Sequence, residues 1–283
     1  MTKAGPVNAM TIDIEDYFHA QALSSQVAPW QWDSLPRRVE ASTERALALF
    51  AEANIKATFF VLGWVATRHP GLVRRIVAQG HELASHGWNH TRVDRQDAET
   101  FRNDIRRTKA TLEDVGGTEV RGYRAATFSI GKQTPWAFSV LEDEGYAYSS
   151  SVYPIRHDYY GMPSAPRFSF RPNGEHGVLE HPMTTVRVAG NTLPCSGGGY
   201  FRLLPYRLSR WAMRRVNEVE KRPCIFYFHP WEIDAGQPRF NGLPIKSQLR
   251  HYTNLRSMEG RIRRLLRDFS WDRMDRVVFD AVR

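Results

Sequence analysis

Short apolar runs alternate with helix-patterned segments along most of this chain, and several runs end at a charged or histidine side chain. The runs are Val7 to Asp13, Ala57 to Leu62, His81 to Ser85, Val120 to Arg124, Tyr146 to Ser150 and Cys224 to Phe228, with a last one at Val277 to Val282. Between them, Arg37 to Asn54 places Val39, Ala46, Leu47 and Phe50 toward a core. Pro70 suits a first helical position and Gly80 a helix end, which bounds a second helix. Asp94 is the expected cap of a long helix with Phe101, Ile105, Thr108 and Leu112 on one stripe, closed at Gly116 and Gly117. Trp136 to Glu144 follows, ending at Gly145. Strand–helix alternation predicts an α/β fold with a largely parallel sheet. A (β/α) barrel gathers its strand ends at one working face; a doubly wound sheet gathers ligands at a switch point.

Other stretches are less regular. Ile14 to Pro36 reads as a long loop rich in aromatics, either functional or a cover for the end of a barrel. The loop after Ser150 carries Arg156, His157 and Asp158. Residues 166 to 202 read as a β-rich excursion with turns at Asn173-Gly174 and Gly197 to Gly199. Leu204 to Glu220 is expected to be helical, as is Leu249 to Phe269, with Thr253-Asn254 as a break or cap. No repeat, low-complexity tract or clean linker divides the 283 residues.

Composition narrows the partners. The hydrophobic fraction of 42% is enough for a sizeable core. The net charge is +9, yet the basic residues form no single block. Their densest stretch, Arg261 to Arg267, reads as the solvated face of an amphipathic helix. No nucleic-acid partner is expected; an anionic glycan or membrane surface is compatible with the charge. Cys195 and Cys224 make no disulfide framework and are expected to be reduced and buried. The opening MTKAGPVNAM has no signal-type apolar region, and no run reaches the ~18 apolar residues of a transmembrane helix. A cytoplasmic chain is expected, with the inner membrane face as a compatible place of work. Oligomeric state is not legible.

The chemistry concentrates at run ends. His86 and His90 stand four apart in SHGWNH and can face one way on a helical turn. Asp13, Glu15 and Asp16 cluster in TIDIED, Arg124 sits in GYRAATF, and His229 ends FYFH. Two histidines and a carboxylate hold a divalent metal and leave positions open for water. A second carboxylate can act as general base, and an arginine can keep it ionised and oriented. A histidine on the far side can protonate a leaving amine. Taken singly, Asp13 reads as a loop cap, Arg124 as a structural ion pair and His229 as a core histidine. At successive strand ends they read together as a site for amide hydrolysis.

The order TIDIED, SHGWNH, GYRAATF, FYFH resembles the polysaccharide deacetylases of carbohydrate esterase family 4, the NodB-homology domain. The resemblance runs from about Val7 to His229. IDIEDYFHA, GYRAATFSI and YPIRHDYYGMPSAPR are similar to the branch associated with bacterial exopolysaccharide and exosortase loci. It implies a distorted (β/α) barrel of about seven strands, in a single domain over 1–283 with a branch-specific C-terminal extension from about residue 150. By motif position it implies Asp13 as catalytic base, Arg124 as its tether and His229 as catalytic acid. His86 and His90 match the metal-ligand histidines. The implied reaction removes N-acetyl groups from an N-acetylhexosamine-containing glycan, with zinc, or cobalt or nickel in its place.

The chain departs from the family pattern at four points. Ile14 stands where the metal-binding Asp follows the base, so Glu15 or Asp16 must take that role. Continued strand favours Glu15, and a turn after Ile14 favours Asp16. Gly87 replaces a usual Ser or Thr, Ala126 a common proline, and Tyr227 a usual Leu. Trp88, Tyr17 and Trp231 are candidates for stacking on sugar, a backbone N–H near Tyr153 or Arg124 for holding the oxyanion, and Pro230 to Glu232 and Arg156 to Asp158 for further substrate contact. The alternative function is hydrolysis of a small cyclic amide or ureide.

Overall fold

The computed structural model describes residues 5–280, so the end of the expected strand at Val277 to Val282 lies partly outside the described residues. Strand β1 (Asn8–Ile14) is buried along its whole length and organises the sheet. It pairs in parallel with β2 (Thr58–Val61), which is followed by β3 (Glu82–Ser85), β4 (Gly122–Tyr123), β5 (Tyr148–Ser149) and β6 (Leu179–Glu180) in spatial order. A hairpin, β7 (Thr185–Val188) with β8 (Asn191–Pro194), stands apart. Strand β9 (Ile225–Phe228) pairs with the other edge of β1, and the two-residue β10 (Trp271–Asp272) joins β1 at its start. The order β9-β1-β2-β3-β4-β5-β6 is thus a half-barrel of seven parallel strands, with β10 at its foot.

Alternation along the strands sorts side chains into two cores. Ala9, Phe60, Ala84, Tyr148, Leu179, Ile225 and Tyr227 fill the inside of the curve. Met10, Ile12, Ile14, Phe59, Val61 and Phe228 face outward to helices. Asp13 has the parity of Ala9 and Thr11, so the same period that builds the core delivers its carboxylate to the inner face.

The outer layer is α1 (Val39–Glu52), α2 (Gly63–Arg68), α3 (Pro70–Ala78), α4 (Ala98–Gly116) and α5 (Trp136–Asp143). The expected stripe of Phe101, Ile105, Thr108 and Leu112 is buried on α4, but the cap is Asp97, which accepts from Thr100 N at 2.7 Å. Asp94 instead sits in a 3-10 turn and pairs with Arg92. The loop from Ile14 to Pro36 holds three short 3-10 turns rather than open coil.

Beyond residue 150 the chain differs more from expectation. Only β6 of the β-rich stretch enters the main sheet; the hairpin turns at Ala189-Gly190, and Gly198 begins α6 (Gly198–Leu203). Helix α7 (Tyr206–Arg214) continues into a π-type turn at Arg215–Val219. The long C-terminal helix is two, α8 (Ile245–Tyr252) and α9 (Leu255–Asp268), parted by Asn254 at φ +60°. Arg261 is not solvated surface: it donates to the carbonyls of Phe201, Arg202 and Leu204 and so caps α6. The final expected strand is helix α10 (Met274–Asp280), because Met274, Val277 and Val278 recur at helical spacing and plug the foot of the barrel core. Cys195 and Cys224 are buried free thiols.

The gap between β6 and β9 is bridged by the segment from Met183 to Gly197. Met183 N donates to Val152 O, Ile225 N to Thr184 Oγ1, and Tyr227 N to Ser196 O at 3.0 Å. Gly197 makes a parallel bridge with Tyr227.

Candidate active site

At the ends of β1, β3, β4 and β9, the side chains of Asp13, Glu15, His86, His90, Arg124 and His229 converge. All but Arg124 line one cavity of about 310 Å³. Arg124 lies just behind, fully buried, its Nη1 2.7 Å from both Asp13 Oδ1 and Thr11 Oγ1. Its Nε and Nη2 are held by Ser150 O and Oγ. The tether fixes Asp13 Oδ1 and leaves Oδ2 toward the cavity, 3.9 Å from His229 Nε2.

Histidines 86 and 90 are not on a helical turn. A loop joins them, with Gly87 at φ +76° and His90 at φ +58°, and brings the rings to a 5.3 Å centroid separation. Gly87 is the residue type that tolerates this backbone. Asp104, which sequence reasoning missed, anchors the loop by accepting from Trp88 N at 3.1 and 3.2 Å. His86 Nδ1 donates to Arg124 O at 2.8 Å, which fixes the tautomer and leaves Nε2 as the free lone pair. Burial lowers the His86 pKa to about 4, so the ring is neutral, the form a metal needs.

Glu15 is the acidic member of this group. The chain turns tightly at Ile14, Glu15 N donating to Asp13 O at 3.1 Å, and the Glu15 side chain enters the cavity. Ligand atoms of Glu15, His86 and His90 all lie within 4.8 Å of one another. Glu15 Oε2 is buried and accepts no aligned hydrogen bond, although His90 Nε2 stands 3.0 Å away. Two electron-rich atoms so placed, beside a third, are what a shared cation satisfies, and the three residues fit one. Burial opposes ionisation of Glu15, but His90 and His229 outweigh it and hold its carboxyl far below the usual range.

Asp16 is the correction to the pair of carboxylates expected as ligands. Its Oδ1 accepts from Tyr17 N, and its Oδ2 from Arg38 N at 2.7 Å and Val39 N at 3.0 Å. Both oxygens are committed to backbone, tying the aromatic loop to the start of α1.

His229 carries the opposite charge tuning. Burial disfavours its cation, yet Glu15, Glu232 and Asp13 together raise its pKa to about 9. Its Nδ1 lies 3.1 Å from Glu232 Oε2. Glu232 is itself fully buried on Arg202, whose Nε donates to Oε1 at 2.6 Å. Glu232 therefore orients His229 and does not reach substrate as expected. The three-residue spacing in HPWE is a capping-box signal that could have revealed it; Arg202 had no signal.

The proposed stacking residues separate. Trp231 lines the cavity, but lies between His229 and His251, and its Nε1 donates to Glu15 Oε1 at 2.9 Å. Trp88 does not line it: its ring lies under Arg107 Cζ at 3.4 Å, against Gly63. Tyr17 is buried beside Phe18 and Phe240, and Tyr153 behind Tyr160, so neither faces the cavity. Arg124 N is used by Ser85 O at 2.9 Å and is not free for an oxyanion. Arg156 is exposed and Asp158 pairs with Lys246 and Arg250, whereas His157 lines the cavity with Tyr159, Tyr160 and Tyr200. That aromatic wall comes from beyond residue 150; His157 was among the expected contacts, and Tyr159, Tyr160 and Tyr200 were not. Thr127 and Phe128, also lining residues, hold φ of 55° and 48°, left-handed strain of the kind that collects at functional sites.

Residues 22–148 match the family model for polysaccharide deacetylase, and residues 150–279 match a domain of unknown function (DUF3473). A peptidoglycan-N-acetylglucosamine deacetylase of Listeria monocytogenes is 33% identical over 110 residues, covering 39% of this chain and 20% of that protein. A chitooligosaccharide deacetylase of Rhizobium leguminosarum bv. trifolii is 39% identical over 70 residues, 25% of this chain and 33% of that one. The chain thus spans a fifth to a third of the length of these curated relatives. Among solved structures, a Mycobacterium smegmatis protein described as an unproven polysaccharide deacetylase superposes with TM-score 0.59 at 21% identity, over 98% of this chain and 93% of that one. A Bacillus anthracis pseudoenzyme of carbohydrate esterase family 4 superposes at 0.51 with 12% identity, over 97% and 66%. Both likenesses show the fold. The matches support the polysaccharide deacetylase family as the setting of this site.

Proposed function

We propose that this chain, whose residues 22–148 match the polysaccharide deacetylase model, is a metal-dependent hydrolase that removes N-acetyl groups from an N-acetylhexosamine-containing glycan. We place its substrate in exopolysaccharide biosynthesis and take zinc as the ion, with cobalt or nickel able to replace it. The observation that carries the reading is one cavity holding a Glu15–His86–His90 group, an Arg124-tethered Asp13 and a carboxylate-backed His229.

A divalent cation held by Glu15, His86 and His90 would polarise the acetamide carbonyl and acidify a water beside it. Asp13 Oδ2, free of the Arg124 tether, takes the proton of the attacking water. His229, kept protonated by the carboxylates around it, gives its Nε2 proton to the departing amine, and acetate leaves. Trp231 holds Glu15 in place, and the aromatic wall of His157, Tyr160 and Tyr200 offers ring faces to the sugar.

A neighbour of this fold is named a pseudoenzyme, so activity itself is the test. Acetate release from N-acetylglucosamine oligomers should stop with chelator and return with zinc. Asp13→Asn should keep its metal and lose activity by ~10²-fold or more. Turnover of allantoin or a cyclic imide instead, by protein carrying stoichiometric zinc, would move the reading to the small-amide alternative.

A further inference from the structure

Helix α7 buries Ser209, Ala212 and Met213 against the body of the molecule and turns its other side outward. On that side stand Leu208 and Trp211, three residues apart, at 51% and 49% exposure. Leu204, 37% exposed, lies in the extended link between α6 and α7, and Val219, 64% exposed, in the π-type turn after α7. Leu203, 44% exposed at the end of α6, also lines the active-site cavity. Single exposed apolar residues are ordinary, but five large ones gathered between residues 203 and 219 mark an interaction surface.

Charge says what covers it. From 204 to 222 the sequence has six Lys or Arg against Glu218 and Glu220. Glu220 is taken by Arg167, Glu218 stands 3.9 Å from Arg214, and Arg210 is paired with Asp268 at 2.7 Å. Arg207 and Arg215 have no acidic partner among the described residues. A second copy would bring the same cations face to face, which is repulsive. An anionic bilayer suits both parts: Leu and Trp enter the acyl boundary while guanidinium groups sit among the headgroups.

We propose that the α6–α7 face docks this chain on an anionic membrane surface, with the active-site cavity opening beside the docked residues. The docking is independent of the deacetylation reaction. The test is co-sedimentation with vesicles of phosphatidylcholine alone and of phosphatidylcholine mixed with phosphatidylglycerol. The protein should bind only the mixed vesicles and leave them as salt rises. A Leu208→Ser/Trp211→Ser variant and an Arg207→Ala/Arg214→Ala/Arg215→Ala variant should each lower the bound fraction roughly tenfold or more, with an unchanged thermal melt. Soluble-substrate turnover should also be unchanged in both. The proposal falls if folded wild-type protein ignores anionic vesicles, or if both variants bind as well as wild type. It falls too if the wild type sediments as a dimer that Leu208→Ser/Trp211→Ser disperses, since the occupant would then be a second copy.

Discussion

At the end of β1 two adjacent carboxylates are taken out of water for different purposes. Asp16 accepts three backbone N–H groups and splices the aromatic loop to α1. Glu15 meets an indole N–H and two imidazoles and keeps an oxygen without an aligned donor. The sequence alone leaves this choice open, because it depends on how the chain turns at Ile14 and not on either residue's type. Glu15→Ala should therefore abolish stoichiometric zinc, read by elemental analysis, while Asp16→Ala should retain it. Asp16→Ala should instead cost about 1–3 kcal/mol, since buried N–H groups lose their acceptor. The reverse pattern in zinc content would make Asp16 the ligand. By contrast, Asp13, His86, His90, Arg124 and His229 were legible, because each sits at or just past the end of an apolar run.

At the scale of elements, legibility followed the apolar pattern. The stripe on α4 and the seven-residue β1 carry enough period to be read, and β4 and β5, two residues each, lie inside apolar runs read as strands, whereas the two-residue β6 has no period of its own within its β-rich stretch. The Val277-Val278 pair suggested a strand from β propensity, but three core positions at helical spacing decided it. The seam of the barrel was illegible because it depends on long-range contact. There Gly197, at φ +131°, lies so close to β9 that a Cβ would come 1.9 Å from Tyr227 O, a backbone atom that cannot swing aside. Gly197→Ala should destabilise by about 3 kcal/mol, combining backbone strain with that clash. A fall in Tm of roughly 6–12 °C by calorimetry is expected on that basis. A shift within a degree would mean that the seam adapts and that the segment before α6 is not part of the barrel wall.

Over the whole molecule, the two family matches divide the chain near residue 149, but the physical contacts do not divide there. Strand β1 has β2 from the first half on one edge and β9 from the second on the other. Helix α10 fills the foot of the inner core beneath Ala9, Phe60 and Ala84. The candidate site is likewise shared, with the Glu15–His86–His90 group and Asp13 from one half, and His229, Trp231 and the aromatic wall from the other. A fragment ending at residue 149 would expose the inner face of the sheet and one whole edge of β1, and such an edge is a template for aggregation. Residues 1–149 expressed alone should be insoluble or lack near-ultraviolet circular dichroism, and the 283-residue chain should unfold in urea in one transition by both circular dichroism and tryptophan fluorescence. A soluble, cooperatively melting fragment would show that the first half is a domain in its own right. The second half would then be an attachment to a finished barrel, and its aromatic wall could be exchanged between relatives without rebuilding the fold.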